Sequence, residues 1–382
     1  MLKKSQTITL VTALILILGT KLMADRNFIV GDVKSLPMID VLAGDPRIQY
    51  TGRIDFSGSS GPVFCYPGIS IKAKFEGSAI DLMMSDQPLD IHSNFYNIII
   101  DGNLHSVIKL NKNDTIYPLA RNLSNGVHTI EVFKRTECIV GKSRFIGFRI
   151  QKGKRVFEWD KKPERRMEFI GNSITCGYGN EGADEYQHFA DSTENNYMAF
   201  GAITARLLNA EYMAVAYSGK GVYRNYGGSE EDPLPAIYNR VYPDEINGPK
   251  WDFKKYTPDV VVVDLGTNDF YQKGTDTIRF KKAYSNFLKK IRENYPTAKI
   301  FCVVGPMMND GHPPGENALS KIHSILTGLV NTLNMNGDKE IFYFSLTTQG
   351  KFGLGSDYHP TAAQHQFNAE ELSQFIKQKA GW

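Results

Sequence analysis

The sequence predicts an α/β protein with a parallel sheet and helices on both faces, preceded by an all-β sandwich or jelly roll. Three observations carry this expectation. From Met167 onward, short apolar runs alternate with longer amphipathic stretches, the pattern of a parallel sheet whose crossovers are helices. Before about Arg155 the chain holds many short β-like runs broken by Gly, Asn, Asp and Pro, with no sustained helical period. Between the two lies the charged connector KGKRVFEWDKKPERR, residues 152–166, with Pro163 near its end.

In the first half, strands are expected at Ser70–Phe75, Ala79–Met84, Phe95–Ile100, His105–Leu110, Val127–Lys134 and Phe145–Ile150. Asp101-Gly102 after NFYNIII signals a tight hairpin, because both central residues of the favoured turn need positive φ. Asn125-Gly126 is a second turn signal. The aromatic residues Phe56, Phe64, Phe75, Phe95 and Tyr96 fit a sandwich core, with a sugar-stacking surface as the alternative.

In the second half, strands are expected at Met167–Ile170, Tyr212–Ala216, Asp259–Leu265, Ile300–Val304 and Ile341–Leu346. The run DVVVVDL suits a strand buried on both faces. Helices are expected near Asn195–Leu208, at Thr277–Tyr295 ahead of Pro296, at Ser320–Leu333 and at Thr361–Lys379.

Residues 1–24 read as a secretory signal: Lys3 and Lys4 precede the apolar run Leu10–Gly19, and Ala24 offers a cleavage position. The resulting division is 1–24 signal peptide, 25–155 sandwich and 160–382 α/β domain, with a secreted or periplasmic location. The apolar run is shorter than the roughly 20 residues of a comfortable membrane span, so no membrane association is expected after cleavage, with an uncleaved membrane anchor as the alternative. A net charge of only +3 lacks the basic stripe of a nucleic-acid binder. Cys65, Cys138, Cys176 and Cys302 show neither disulfide-framework nor metal-ligand spacing, so buried free thiols are expected, with a Cys65–Cys138 pairing as the alternative.

Open α/β sheets place their chemistry at the carboxyl ends of the strands. Four such ends here carry groups suited to one reaction: Gly171-Asn172-Ser173, Ser218-Gly219-Lys220-Gly221, Gly266-Thr267-Asn268-Asp269 and Ser356-Asp357-Tyr358-His359. Acyl transfer needs an activated hydroxyl, a base to take its proton, and donors aimed at the developing oxyanion. Ser173 suits the nucleophile and His359 the base. The main-chain N–H groups of Ser173 and Gly219, with the Asn268 amide, suit the oxyanion. Singly, each residue has an ordinary structural use, in a cap, a turn or a positive-φ position. Their joint order along the chain favours the chemical reading.

The blocks GNSIT, YSGKG, GTND and DYHP resemble those of the SGNH hydrolases. More narrowly, GNSITCGYGNEG, AYSGKGVYRNYGG and SDYHP resemble carbohydrate esterase family 2, as do GPVFCYPGISIKAKFEG, NFYNIIIDG and GVHTIEVFKRTE in the first half. The resemblance implies a flavodoxin-like SGNH domain behind a jelly-roll domain. It also implies metal-independent, cofactor-free removal of O-acetyl groups from plant polysaccharides such as xylan or glucomannan. Carried over by position, Ser173 is the nucleophile, His359 the base, and Ser173, Gly219 and Asn268 the oxyanion donors. Asn172 stands where SGNH enzymes more often have Asp. The acid three residues before the histidine in the broad superfamily is replaced by Ser356. That leaves the Asp357 carboxylate, or a backbone carbonyl as in some family members, to orient His359. Tyr358 and Tyr226 are candidates to flank a sugar ring, their aromatic faces suiting the apolar sides of pyranoses. Alternatives are a lipase, thioesterase or aryl esterase on the same scaffold, and a carbohydrate-binding protein with an inactive esterase domain.

Overall fold

In a computed structural model of the chain, the structure describes residues 36–159 and 163–382. The expected signal peptide, and the rest of the chain up to residue 35, lie outside the described residues.

Two antiparallel sheets form the first half. One has the strand order Met38–Leu42, Gly141–Gln151, Ile80–Pro88, Ile116–Ala120. The other runs Val156–Phe157, Ser70–Glu76, Val127–Lys134, Phe95–Ile100, Asn103–Lys109. Alternate residues point into a shared core of Phe64, Ile71, Phe75, Leu82, Met84, Ile98, Val132, Phe145 and Phe148, the two-residue period of a strand with one face covered. The expected hairpin is present: Asp101 (φ 51°) and Gly102 (φ 77°) join Phe95–Ile100 to Asn103–Lys109. Phe64, Phe75 and Tyr96 are core residues, whereas Phe56 is 55% exposed. Strand Ile116–Ala120 escapes the sequence pattern because Pro118 interrupts its β signal. It pairs along one side only, where a missing N–H is tolerated.

The second half is a five-stranded parallel sheet, ordered Ala210–Ala216, Arg165–Gly171, Val260–Asp264, Lys299–Val304, Ile341–Ser345. In sequence order this is 2-1-3-4-5, the flavodoxin-like arrangement, with its switch point beside the first strand. Val260–Val263 are fully buried, as their unbroken apolar run requires. Helices cover both faces and form two core clusters. Thr277–Asn294 buries Phe280, Tyr284, Phe287, Leu288 and Ile291 along one stripe, and the Asp276 carboxylate caps its first turn through the N–H groups of Ile278 and Arg279. Near residue 195 the expected single helix is split: a 3-10 turn at Asn196–Met198 precedes the helix Phe200–Leu207. Helices Ala318–Met335 and Ala362–Ala380 close the fold.

The sandwich docks on the α/β sheet through buried polar as well as apolar groups. Arg53, fully buried, reaches Glu168 on strand Arg165–Gly171 at 2.9 Å. Its guanidinium lies among the rings of Tyr238, Trp251, Phe253 and Tyr66. All four cysteines are buried free thiols.

Candidate active site

Strand Arg165–Gly171 ends beside Ala216 on one neighbour and Asp264 on the other, so the loops that follow these three strands meet at one edge of the sheet. The turn out of the first strand is tight. A Cβ on Gly171 would sit 1.9 Å from the Thr175 hydroxyl, so only glycine fits there. The next residue, Asn172, caps a short helix, Ser173–Cys176, by accepting the Ile174 N–H at 3.0 Å. Ser173 is the first residue of that helix, and its main-chain N–H belongs to the turn that has no intrahelical acceptor.

Ser173 Oγ lies 2.9 Å from His359 Nε2. On the other side of the imidazole, Nδ1 lies 3.1 Å from the main-chain oxygens of both Ser356 and Asp357. Carbonyl oxygens only accept, so Nδ1 carries the proton and Nε2 turns a lone pair toward Ser173. Desolvation pushes the His359 pKa down to about 4, against the raising effect of the two carbonyls. The ring is neutral at pH 7 and poised to receive a proton. The Tyr178 ring lies tilted against it with ring centroids 4.3 Å apart, and Phe189 stacks on Tyr178 in turn.

Of the two partners expected for His359, backbone carbonyls hold the ring, and the reading of the Asp357 carboxylate as a catalytic group is corrected. That carboxylate accepts from the Tyr178 hydroxyl and the Phe189 N–H, each at 2.9 Å, and pairs with His188 Nδ1 at 2.9 Å. The cause is backbone conformation. Asp357 (φ 50°) and Tyr358 (φ 63°) are consecutive left-handed residues, a strained arrangement at roughly 1–3 kcal/mol each. They turn two carbonyls, rather than a side chain, toward Nδ1. Ser356, at the position of the usual acid, is buried and contributes its carbonyl.

The oxyanion candidates sit on the two adjoining loops. Gly219 adopts φ +78°, a conformation that favours glycine. Asn268 donates one amide hydrogen to the Lys220 carbonyl at 2.8 Å, which fixes its side chain against that loop and leaves the second hydrogen for another acceptor. Asp269, expected from the sequence to cap or brace its turn, braces the Gly219–Arg224 loop: its carboxylate accepts the N–H groups of Val222, Tyr223 and Arg224. Burial pushes its pKa up to about 6. Tyr226, 56% exposed, donates its N–H to the Gly219 carbonyl at 2.8 Å, and its ring meets that of Tyr271. Tyr358, 52% exposed beside His359, meets the ring of Tyr186. Sequence reasoning missed Tyr178, Phe189 and His188. Their roles depend on chain reversals that bring residues about 170 positions apart into contact, and no local pattern encodes that.

A parallel sheet of 2-1-3-4-5 order with a serine–histidine pair at its switch point defines a GDSL-like hydrolase. The family described as "GDSL-like Lipase/Acylhydrolase family" matches residues 169–367, and "Carbohydrate esterase 2 N-terminal" matches residues 50–159. The chain is 40% identical over 340 residues to the cellulase/esterase CelE of Acetivibrio thermocellus, covering 88% of this chain but only 40% of that protein. It is 27% identical to an acetylxylan esterase / glucomannan deacetylase of Cellvibrio japonicus, over 90% of this chain and 91% of that one. The solved family two carbohydrate esterase from Clostridium thermocellum, in complex with cellohexaose, superposes with a TM-score of 0.82 at 38% identity, covering 88% of this chain and 99% of that chain. The chain belongs to carbohydrate esterase family 2.

Proposed function

We propose that this protein is an exported serine esterase that removes O-acetyl groups from plant cell-wall polysaccharides, xylan or glucomannan. The observation that carries this reading is the 2.9 Å contact between Ser173 Oγ and His359 Nε2, with Nδ1 held by two carbonyls. The names of the relatives, an acetylxylan esterase / glucomannan deacetylase among them, support the substrate class.

In the first step His359 Nε2 takes the Ser173 proton as Oγ attacks the acetyl carbonyl carbon. The carbonyl electron pair moves onto oxygen, which accepts from the N–H groups of Ser173 and Gly219 and the Asn268 amide. Collapse of the tetrahedral adduct breaks the bond to the sugar oxygen, and His359 delivers the proton to that oxygen. The sugar alcohol leaves and an acetyl-serine remains. In the second step His359 draws a proton from water, the hydroxide attacks the same carbon, and acetate departs as the proton returns to Ser173. The imidazolium formed in each step is stabilised by two neutral carbonyl dipoles instead of a carboxylate. Tyr226 and Tyr358, each half exposed, serve as faces for the sugar ring.

Acetate release from acetylated xylan and acetylated glucomannan tests the reading. The parent protein releases acetate and Ser173→Ala does not. No release by the parent, or undiminished release by Ser173→Ala, sinks it. Faster cleavage of a long-chain ester than of either polysaccharide places the enzyme among lipases instead.

A further inference from the structure

Ser218, the residue before Gly219, is gripped by a side chain from the other half of the molecule. Glu137 lies between the sandwich strands Val127–Lys134 and Gly141–Gln151, with its carboxylate fully buried. One carboxylate oxygen accepts the Ser218 main-chain N–H at 2.7 Å, and the other accepts the Ser218 hydroxyl. Two bonds to one residue fix both its backbone and its side-chain rotamer. The planar peptide that follows carries the Gly219 N–H, and its tilt is set by the backbone torsions of Ser218 and Gly219. Holding Ser218 therefore aims the Gly219 donor.

The grip is itself anchored. The Glu137 N–H donates to Glu194 Oε2 at 3.0 Å, and Lys134 Nζ donates to the carbonyls of Thr136 and Glu137. The adjacent Arg135 binds the Glu194 carbonyl, the Ser192 carbonyl and the Glu181 carboxylate. Carboxylate oxygens of Glu137 and Glu194 lie with Cys176 Sγ inside one buried cluster, all within 4.8 Å, and Cys176 ends the helix that Ser173 begins. Two carboxylates this close and this buried hold a proton between them. Burial pushes the pKa of both carboxyls up, and the charge of Glu137 adds to the rise at Glu194. Glu137 accepts from both Ser218 donors, bonds that favour its charged form.

We propose that Glu137 is a positioning residue by which the sandwich sets the oxyanion loop of the α/β domain. On this view the first half of the chain takes part in catalysis through Ser218, whatever glycan it also touches. The inference rests on the esterase reading above and adds a residue that none of the four site blocks contains.

The test uses the full chain with 4-nitrophenyl acetate, an ester without a sugar, alongside acetylated xylan. Glu137→Gln puts an amide N–H₂ against one of the two Ser218 donors; Ser218→Ala removes the hydroxyl half of the grip while leaving the buried acid in place. Misaligning one oxyanion donor lowers kcat on both substrates, by about 10- to 100-fold in Glu137→Gln and about 3- to 10-fold in Ser218→Ala, somewhat less than deleting a donor outright. KM stays within about twofold, and the acid limb of kcat/KM, which belongs to His359, does not move. The double variant loses little more than Glu137→Gln alone, since the two act through one contact. An active parent with kcat of Ser218→Ala within twofold of its own overturns the inference, and so does an effect on KM alone. If Glu137→Gln does not fold, Ser218→Ala decides. A parent that cleaves neither ester overturns the esterase reading itself, and this inference falls with it.

Discussion

Asp357 reaches His359 through its main-chain oxygen, 3.1 Å from Nδ1, while its carboxylate is committed to Tyr178, His188 and Phe189. A carboxylate on Nδ1 would stabilise the imidazolium with a full charge; a carbonyl supplies only a dipole. The two arrangements differ in what happens when the charge is removed.

Asp357→Asn makes that difference measurable. Neutralising an orienting acid in a serine–histidine–acid triad lowers kcat by about 10⁴. Here the substitution leaves the backbone carbonyl in place and weakens one hydrogen bond to a charged group, worth about 1.5 kcal/mol or roughly tenfold in rate. The expected result is kcat/KM for acetate release within about tenfold of the parent. A loss of a thousandfold or more means the carboxylate acts on the imidazole after all.

The depressed pKa of His359 fixes the shape of the pH profile. An imidazole with a lowered pKa stays neutral, and so able to accept a proton, at every pH above about 4. Activity is lost only as pH falls through that value. The kcat/KM profile, which reports the free enzyme, is expected to be level from neutral pH down to about 5 and to bend near 4. A bend near the ordinary histidine value of about 6.5 would show that the site does not desolvate the ring.

Asn268 donates one amide hydrogen to the Lys220 carbonyl, and in the proposed mechanism its remaining amide hydrogen serves the oxyanion. Asn268→Ala removes both and is expected to lower kcat by about 10²–10³ with little change in KM, the scale for one lost oxyanion donor. Steady-state kinetics on a small acetyl ester decides it. Parent-like kcat would exclude Asn268 from the oxyanion site.

The alternation of strands and helices from residue 165 onward is legible because each element is long and its burial pattern regular. The buried run Val260–Val263 and the stripe Phe280, Tyr284, Phe287, Leu288 of one helix announce themselves. Ser173, Gly219 and Asn268 are also legible, since the sheet topology brings such strand ends together, and His359 is legible as the histidine of the loop before the last helix. What surrounds them is not. The orientation of Asp357 depends on two left-handed residues, Asp357 and Tyr358, neither of which is glycine. Nothing in their identity requires that conformation; tertiary contacts impose it. Glu137 closes the stretch GVHTIEVFKRTE, but its role is not legible there, because its partner Ser218 lies 81 residues away in the other half of the chain.

The joint between the halves offers a stability test. Arg53 and Glu168 form an ion pair from which water is fully excluded, with Tyr238 serving both: its carbonyl accepts from Arg53 and its hydroxyl lies 3.3 Å from Glu168. Desolvating two charges costs much of what their attraction returns, so the pair itself adds little net stability. Removing one partner is different, because the other charge is then buried alone. Arg53→Ala is expected to destabilise the protein by about 3–5 kcal/mol, part of it from the emptied box of aromatic rings. Arg53→Met combined with Glu168→Gln replaces the pair by neutral groups of similar size and is expected to recover at least half of that loss. Urea unfolding followed by tryptophan fluorescence measures both, Trp251 lying against the guanidinium. A double variant no more stable than Arg53→Ala would mean that the charges, and not their burial unpaired, hold the sandwich to the sheet.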